Sequence, residues 1–207
     1  MPLEQARAQT RHQRILDAAL RVFSRRGYHE ASVDDIAGAS KTSKGGVYFH
    51  FPNKEAIFLS LLDHSAERLL RKVNEAIAAQ SDPIAKADAA LLAVLRNFAR
   101  HRSLARLFML EALGAGREFH QRMASIRERF AQVITAHLDE AVDSGAISPL
   151  DTVVAGRAWF GALNEVITHW VLAGSPHDLE QTYLVLRPLL MRSVGIDHRE
   201  IRGGSTG

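Results

Sequence analysis

Cysteine is absent from the 207 residues, which removes disulfides, thiolate metal sites and a cysteine nucleophile together. Six prolines and 14 glycines are too few for a collagen-like or low-complexity chain. No apolar run approaches the about 18 residues that a membrane-spanning helix needs. The opening stretch MPLEQARAQTRHQRI has no apolar core of the kind a secretion signal requires. A soluble, cytoplasmic protein with no membrane partner is therefore expected. Hydrophobic residues at 46% and charged residues at 24% are ordinary for a globular protein. The length suits one domain, or a small domain joined to a larger one, with a core that needs no staples.

Catalytic signatures are missing as well. There is no G-x-S-x-G elbow and no phosphate-binding G-x-x-x-x-G-K loop. Gly114-Ala115-Gly116 begins like a dinucleotide fingerprint, but Phe119 stands where its third glycine would be. The ten histidines contain no H-x-x-x-H pair. Glu165 and His169 lie one helical turn apart, and two ligands do not make a metal site. No enzyme activity, no metal and no cofactor are expected.

The net charge of +3 hides an asymmetry. Residues 1–54 carry nine Lys/Arg and five Asp/Glu, whereas the remaining 153 carry 17 and 18. A basic N-terminal quarter on a neutral body fits an anionic partner for that quarter, with chance scatter of surface charge as the alternative.

Apolar spacing is helical almost throughout. Ile15, Leu16, Ala19, Val22 and Phe23 place one stripe on a first helix. Thr10 with Gln13 fits a capping box at its start, and Gly27 a left-handed residue past its end. Ser32 and Asp35 have capping-box spacing for a second, short helix with Val33, Ile36 and Ala37 inward. After the polar break Ser40-Lys41 comes a third short segment, Thr42 to His50. Asn53 can cap a long fourth helix carrying Ile57, Leu61, Leu62, Leu69 and Val73. Further helices are expected at about 83–100, 102–114, 117–144, 149–173 and 177–195, with breaks at Gly114-Ala115-Gly116 and Gly174-Ser175-Pro176. Pro188 should kink the last one. The fold class is all-α in two parts, with about nine helices.

Two short helices across a polar turn, backed by an apolar first helix, make a helix-turn-helix at about 32–51. In that motif the second helix enters the major groove of DNA. Gly45-Gly46 breaks helix propensity within it at about 1 kcal/mol per glycine. Without a Cβ the helix can lie flush against a groove wall; the alternative is that the glycines simply form a loop. Thr42 and Ser43 can bond bases or phosphate. Lys44 can donate to guanine or serve as a phosphate charge. Tyr48, His50 and Lys54 together read as a phosphate clamp, Lys54 assisted by the free amides after the Asn53 cap.

The runs Ile15-Leu16-Asp17-Ala18-Ala19-Leu20-Arg21-Val22-Phe23, Ala31-Ser32-Val33-Asp34-Asp35-Ile36-Ala37 and Thr42 through Ala56 resemble the DNA-binding domain of TetR-type transcriptional regulators. The likeness covers roughly residues 10–70. It implies base readout from Thr42, Ser43, Lys44, Gly45 and Gly46, phosphate anchoring by Ser32, Tyr48, His50 and Lys54, and a small core of Val33, Ile36, Val47, Phe51 and Phe58. The family usually has Ala-Gly where this chain has Ser40-Lys41. A lysine at a positive-φ turn position is strained unless the turn is built differently, and Lys41 is then a further phosphate candidate. The organisation that follows is a DNA-binding domain at 8–70, a helical ligand-binding and dimerisation domain at 71–197, and a disordered tail at 198–207.

In the C-terminal part, residues 149–173 mix small side chains with Trp159, Phe160, Leu163, Ile167 and Trp170, and the last helix supplies Tyr183, Leu186, Leu189 and Leu190. Trp159, Leu163, Ile167, Trp170, Tyr183, Leu186 and Leu190 are expected at a dimer interface, or else in an internal core of the same pattern. Phe98, Leu107, Phe108, Met109, Phe130, Phe160, Asn164 and Thr168 could line an apolar cavity with a few polar groups, and Glu111 could meet a cationic ligand. The expected partners are double-stranded DNA with a palindromic operator, a second copy of the chain, and a largely apolar small-molecule effector. The expected activity is repression relieved by that effector. The rival reading is a helical ligand carrier or interaction protein with sequence-blind DNA affinity.

Overall fold

Helix is the only regular structure among the residues that the computed structural model describes, which are 2–109, 116–173 and 179–196, with side chains from residue 9. Glu111, the Gly174-Ser175-Pro176 break and the 198–207 tail lie outside them. The α-helices are α1 (Pro2–Glu30), α2 (Val33–Ser40), α3 (Lys44–His50), α4 (Lys54–Ala78), α5 (Pro83–Arg100), α6 (Arg102–Met109), α7 (Gly116–Asp143), α8 (Thr152–Ala173) and α9 (Tyr183–Ser193). A 3-10 turn at Leu179–Thr182 precedes α9.

Local chemistry sets most of the boundaries. α1 begins at Pro2, well before the expected Thr10 cap. Proline favours a first helical position, and the Leu-Glu-Gln-Ala-Arg-Ala run after it has high helix propensity. Gly27 interrupts α1 at φ 79°, a left-handed value that glycine takes without penalty. Asn53 Oδ1 accepts from Ala56 N at 2.7 Å to start α4, and Asp82 Oδ2 from Ala85 N at 2.8 Å to start α5. Asp151 Oδ1 accepts from Val154 N at 3.0 Å, so α8 starts at Thr152 rather than at 149. The last segment opens as a 3-10 turn and continues as α9 through Pro188, which has no N–H to offer the Leu184 carbonyl.

The chain forms two compact units. The head holds α1, α2, α3, α4 to Ala66, α6 from Ser103 and α7 to Arg122; the body holds the rest. Ile15, Leu16 and Phe23 of α1, Ile36 of α2, Val47 of α3 and Ile57 and Phe58 of α4 are fully buried in the head. Phe58 meets Phe23 edge-on at 5.5 Å and Tyr28 at 4.6 Å. At roughly 1.5–3 kcal/mol per buried large side chain, this cluster fixes α3 against its neighbours. In the body, Leu69, Val73 and Ile77 of α4 pack with Phe98 of α5 and Phe130 and Val133 of α7. Gly156 lets α8 touch α7: a Cβ there would collide with Thr135 Oγ1 and lie 3.2 Å from the backbone of Ala131 and Thr135.

Candidate nucleic-acid interface

Ser32 starts α2 with a complete capping box. Its Oγ accepts from Asp35 N at 3.1 Å, and its own N–H and O–H donate to Asp35 Oδ2 at 3.0 and 2.7 Å. Arg26 holds the other carboxylate oxygen at 2.8 Å. The Ser32 bonds first, and Arg26 after them, keep the Asp35 carboxyl below its ordinary range. Lys41 then turns the chain at φ 52°, ψ 42°, the left-handed geometry that the family's usual glycine would fill. Its N–H bonds Gly38 O at 3.2 Å and the Thr42 N–H bonds Ala37 O at 3.0 Å. The turn is thus built in the ordinary way and the lysine bears the strain, about 1 kcal/mol.

Ser43 caps α3, its Oγ accepting from Gly46 N at 3.1 Å. Val47 points into the core and Phe51 follows it. That phase leaves Lys44, Gly45, Tyr48 and Phe49 on the outward face, spaced i, i+1, i+4, i+5 as one helical stripe. Phe49 is 83% exposed and Tyr48 44%. A Cβ on Gly46 would meet Thr42 Cγ2 at 2.8 Å and Ser43 Oγ at 3.2 Å, whereas one on Gly45 would meet nothing within 4 Å. Gly46 is required by the fold, and Gly45 is not. Lys44 Nζ rests on Asp34 Oδ2 of α2 at 2.8 Å, both side chains largely exposed.

Two expected phosphate anchors make contacts within the head. Lys54 Nζ donates to the carbonyls of Tyr28, His29 and Ala31 at 2.9, 3.0 and 2.9 Å and lies 4.8 Å from the centre of the Tyr28 ring. An ammonium has three donors, so all three of Lys54 are used here to close the end of α1. Ser32 likewise commits its only O–H to Asp35. His50 is half-buried beside His12, Phe49 and Phe51, and its Nε2 is buried without a partner among the described residues. Thr42 Oγ1 leans on Ser40 O at 3.4 Å. Phe49 is the surface residue that the sequence reading missed. Counting outward from Val47 would have found it.

The other expected sites divide between the units. Phe108 belongs to the head, its ring 5.5 Å from Phe58, with Leu107 buried beside it in sequence. Phe108 thus packs within the head. Phe130 and Phe160 stack at 6.4 Å in the body, where Phe98 packs on the α4 cluster. Asn164 and Thr168 follow Phe160 at one-turn intervals on α8, both half-buried. Trp159, Ile167, Leu186 and Leu190 are buried within the single chain, and Trp159 Nε1 donates to Ser193 Oγ at 3.0 Å. Their burial needs no second copy, because an inward apolar stripe looks the same in sequence whichever partner covers it. Leu163, Trp170 and Tyr183 are half-buried. Among the described residues of the body, the large apolar side chains left in water are Val153, Val154 and Leu172 of α8 and Leu184, Val185 and Leu189 of α9. Among the described residues there is no cluster of metal-binding side chains, and no helix is long and apolar enough to cross a membrane.

Comparison with known proteins decides the family. Residues 15–61 match the model of bacterial regulatory proteins of the tetR family, and residues 62–193 match the C-terminal region of YsiA-like proteins. The chain belongs to the TetR family. The fatty acid metabolism regulator protein of Bacillus subtilis is 30% identical to this TetR-family chain over 173 residues, 82% of the chain and 88% of that relative. The HTH-type transcriptional regulator TtgR of Pseudomonas putida is 30% identical over 182 residues, 83% and 85% of the two chains. Among solved structures, the fatty acid degradation regulator FadR of Bacillus halodurans superposes with a TM-score of 0.82 at 26% identity, covering 90% of this chain and 97% of its own. FadR of Bacillus subtilis, in complex with stearoyl-CoA, gives 0.80 at 27%, covering 90% and 99%. This TetR-family protein is accordingly a DNA-binding transcriptional regulator, and its relatives are regulators rather than enzymes.

Proposed function

We propose that the protein is a homodimeric repressor of a palindromic operator, released when its body binds a long-chain acyl-CoA thioester. The observation that carries the DNA reading is the outward stripe of α3. Lys44 there can donate to guanine or to phosphate, Tyr48 and Phe49 offer apolar contact to thymine methyls, and Gly45 leaves room for the groove wall. Lys41 and Ser43 flank the stripe as phosphate contacts. One such helix covers only a few base pairs, so two copies about one DNA turn apart are needed for a long site. The exposed Leu184, Val185 and Leu189 of α9, with Val154 and Leu172 of α8, are the surface we assign to dimerisation. Ala158 and Gly161 lie exposed between the two α8 residues and let a partner helix come close. The acyl-CoA reading is supported by the likeness to FadR proteins, one of them holding stearoyl-CoA.

Release requires the effector to favour a conformation with altered spacing of the two α3 helices, and a preference of about 3 kcal/mol gives roughly 150-fold weaker operator binding. The test is a gel shift on DNA flanking the protein's own gene at about 0.15 M salt, with and without palmitoyl-CoA. A symmetric protected site that palmitoyl-CoA clears is the expected result. Equal competition by bulk DNA would favour the carrier with sequence-blind affinity, and a complex indifferent to palmitoyl-CoA would remove the effector assignment.

A further inference from the structure

In the body, α4 and α7 leave a groove between facing stripes of their surfaces. Arg71 and Asn74 line it from α4, Arg129 and Gln132 from α7, and Leu70 and Val133 from beneath. Neither Arg71 nor Arg129 has an ion pair or a hydrogen bond among the described residues. Elsewhere the chain pairs its arginines readily, as in Arg26–Asp35, Arg96–Glu180, Arg122–Asp63 and Arg187–Asp88. The carboxylate next to Arg129, Glu128, turns instead to Arg157 at 3.6 Å and accepts from Gln132 Nε2 at 3.4 Å. Glu67, one turn before Arg71 and also at the groove, makes no ion pair with it. Two guanidiniums lining one groove repel each other, and an anion between them reverses that cost.

We propose that this groove holds phosphate groups of the acyl-CoA effector, with Arg71 and Arg129 gripping them from opposite walls and Asn74 adding an amide donor. A guanidinium presents its N–H groups as a planar fork that matches two phosphate oxygens, which an ammonium does not. The floor fits the rest of such a ligand. Val133 lines the groove and also packs on the apolar cluster of Leu69, Val73 and Ile77 with Phe98 and Phe130. Charge for the head and apolar surface for the chain therefore meet at one residue. The assignment rests on the acyl-CoA reading given above.

Calorimetric titration of the full chain with palmitoyl-CoA, CoA and palmitate tests it, using wild type, the Arg71→Gln/Arg129→Gln double variant, and Arg100→Gln/Arg127→Gln as a matched charge loss elsewhere in the body. All four arginines are solvent-facing, and unchanged melting checks that the variants fold. The groove variant should bind palmitoyl-CoA about 10–100-fold more weakly, the loss expected from two charge-assisted contacts, and should bind palmitate as wild type does. Lysines at 71 and 129 should restore part of the affinity. Equal palmitoyl-CoA affinity in wild type and groove variant overturns the groove assignment and leaves the effector reading intact, as does an equal loss in the matched control. Wild type that ignores palmitoyl-CoA but binds CoA through Arg71 and Arg129 sinks the effector reading and keeps the groove. Wild type that binds neither CoA nor palmitoyl-CoA ends both.

Discussion

At Gly45 the α3 backbone stands open to solvent, while one residue later Gly46 is enclosed by Thr42 and Ser43. The two glycines should therefore respond oppositely to the same change. Gly45→Ala should raise stability by about 1 kcal/mol through helix propensity while weakening operator binding about tenfold or more, since a methyl group then stands in the groove. Gly46→Ala should lower stability by about 1–3 kcal/mol through overpacking. Thermal melting with fluorescence anisotropy on operator DNA separates the two, and a Gly45→Ala protein that binds as tightly as wild type would remove Gly45 from the interface. Lys54 makes the complementary case. Lys54→Met strips one cation from three carbonyls and should cost about 2 kcal/mol in stability, with the operator affinity of the folded protein within about threefold of wild type. A large affinity loss at unchanged melting temperature would restore Lys54 to the phosphate contacts.

Elements bring these residues together, and two of their junctions respond to acid. Asp35 caps α2 as a carboxylate, held below its ordinary range by Ser32 and Arg26. The stability it lends is complete above about pH 4 and is lost as pH falls through its lowered folded value. His12 of α1 sits 4.6 Å from the Phe51 ring. Burial first, then the neighbouring His50 and His64, lower its pKa. Its contribution is complete above the unfolded value of about 6.5 and drains away as pH falls below that. The protein should therefore melt at a lower temperature at pH 5.5 than at pH 7.5, and His12→Gln should shrink that difference, the rest coming from His101, whose pKa burial also lowers. A variant that keeps the full difference would move the effect to another group. The capping box at Ser32 and the cap at Asn53 were legible in the sequence because they act over three residues. The Lys54 clamp was not, because its carbonyls lie 23 to 26 residues upstream. The start of α1 was misplaced because a good cap at Thr10 lies inside a stretch that is already a good helix.

Across the whole molecule, the division into a basic DNA-reading part and a neutral helical body was visible in composition and motif. The grouping of α6 with the head was not, since it depends on rings such as Phe108 and Phe119 meeting Phe58 across the sequence. The apolar pattern of α8 and α9 marked both helices as important but could not say which stripe faces inward. Leu184 at 73%, Val185 at 70% and Leu189 at 58% exposure now define the outward one. Val185→Asp with Leu189→Asp should give a monomer by light scattering and weaken operator binding at least about a hundredfold, since each half-site is then bound alone. Because the altered side chains are already in water, the monomer should keep its helical spectrum. A dimer that survives both changes would place the interface elsewhere.

The contact between Lys44 and Asp34 has a thermodynamic consequence. The recognition helix carries its own counterion. If Lys44 moves to DNA as proposed, it leaves a carboxylate rather than only water and salt, so part of the ionic exchange on binding is internal to the protein. Operator affinity should therefore fall less steeply with salt than the number of phosphate contacts implies, since each phosphate neutralised ordinarily contributes a slope of about 0.9. Asp34→Asn should tighten binding at low salt and steepen the dependence. In the native protein, Asp34 would then be what keeps the regulator from clinging to every stretch of DNA when the cell's salt is low.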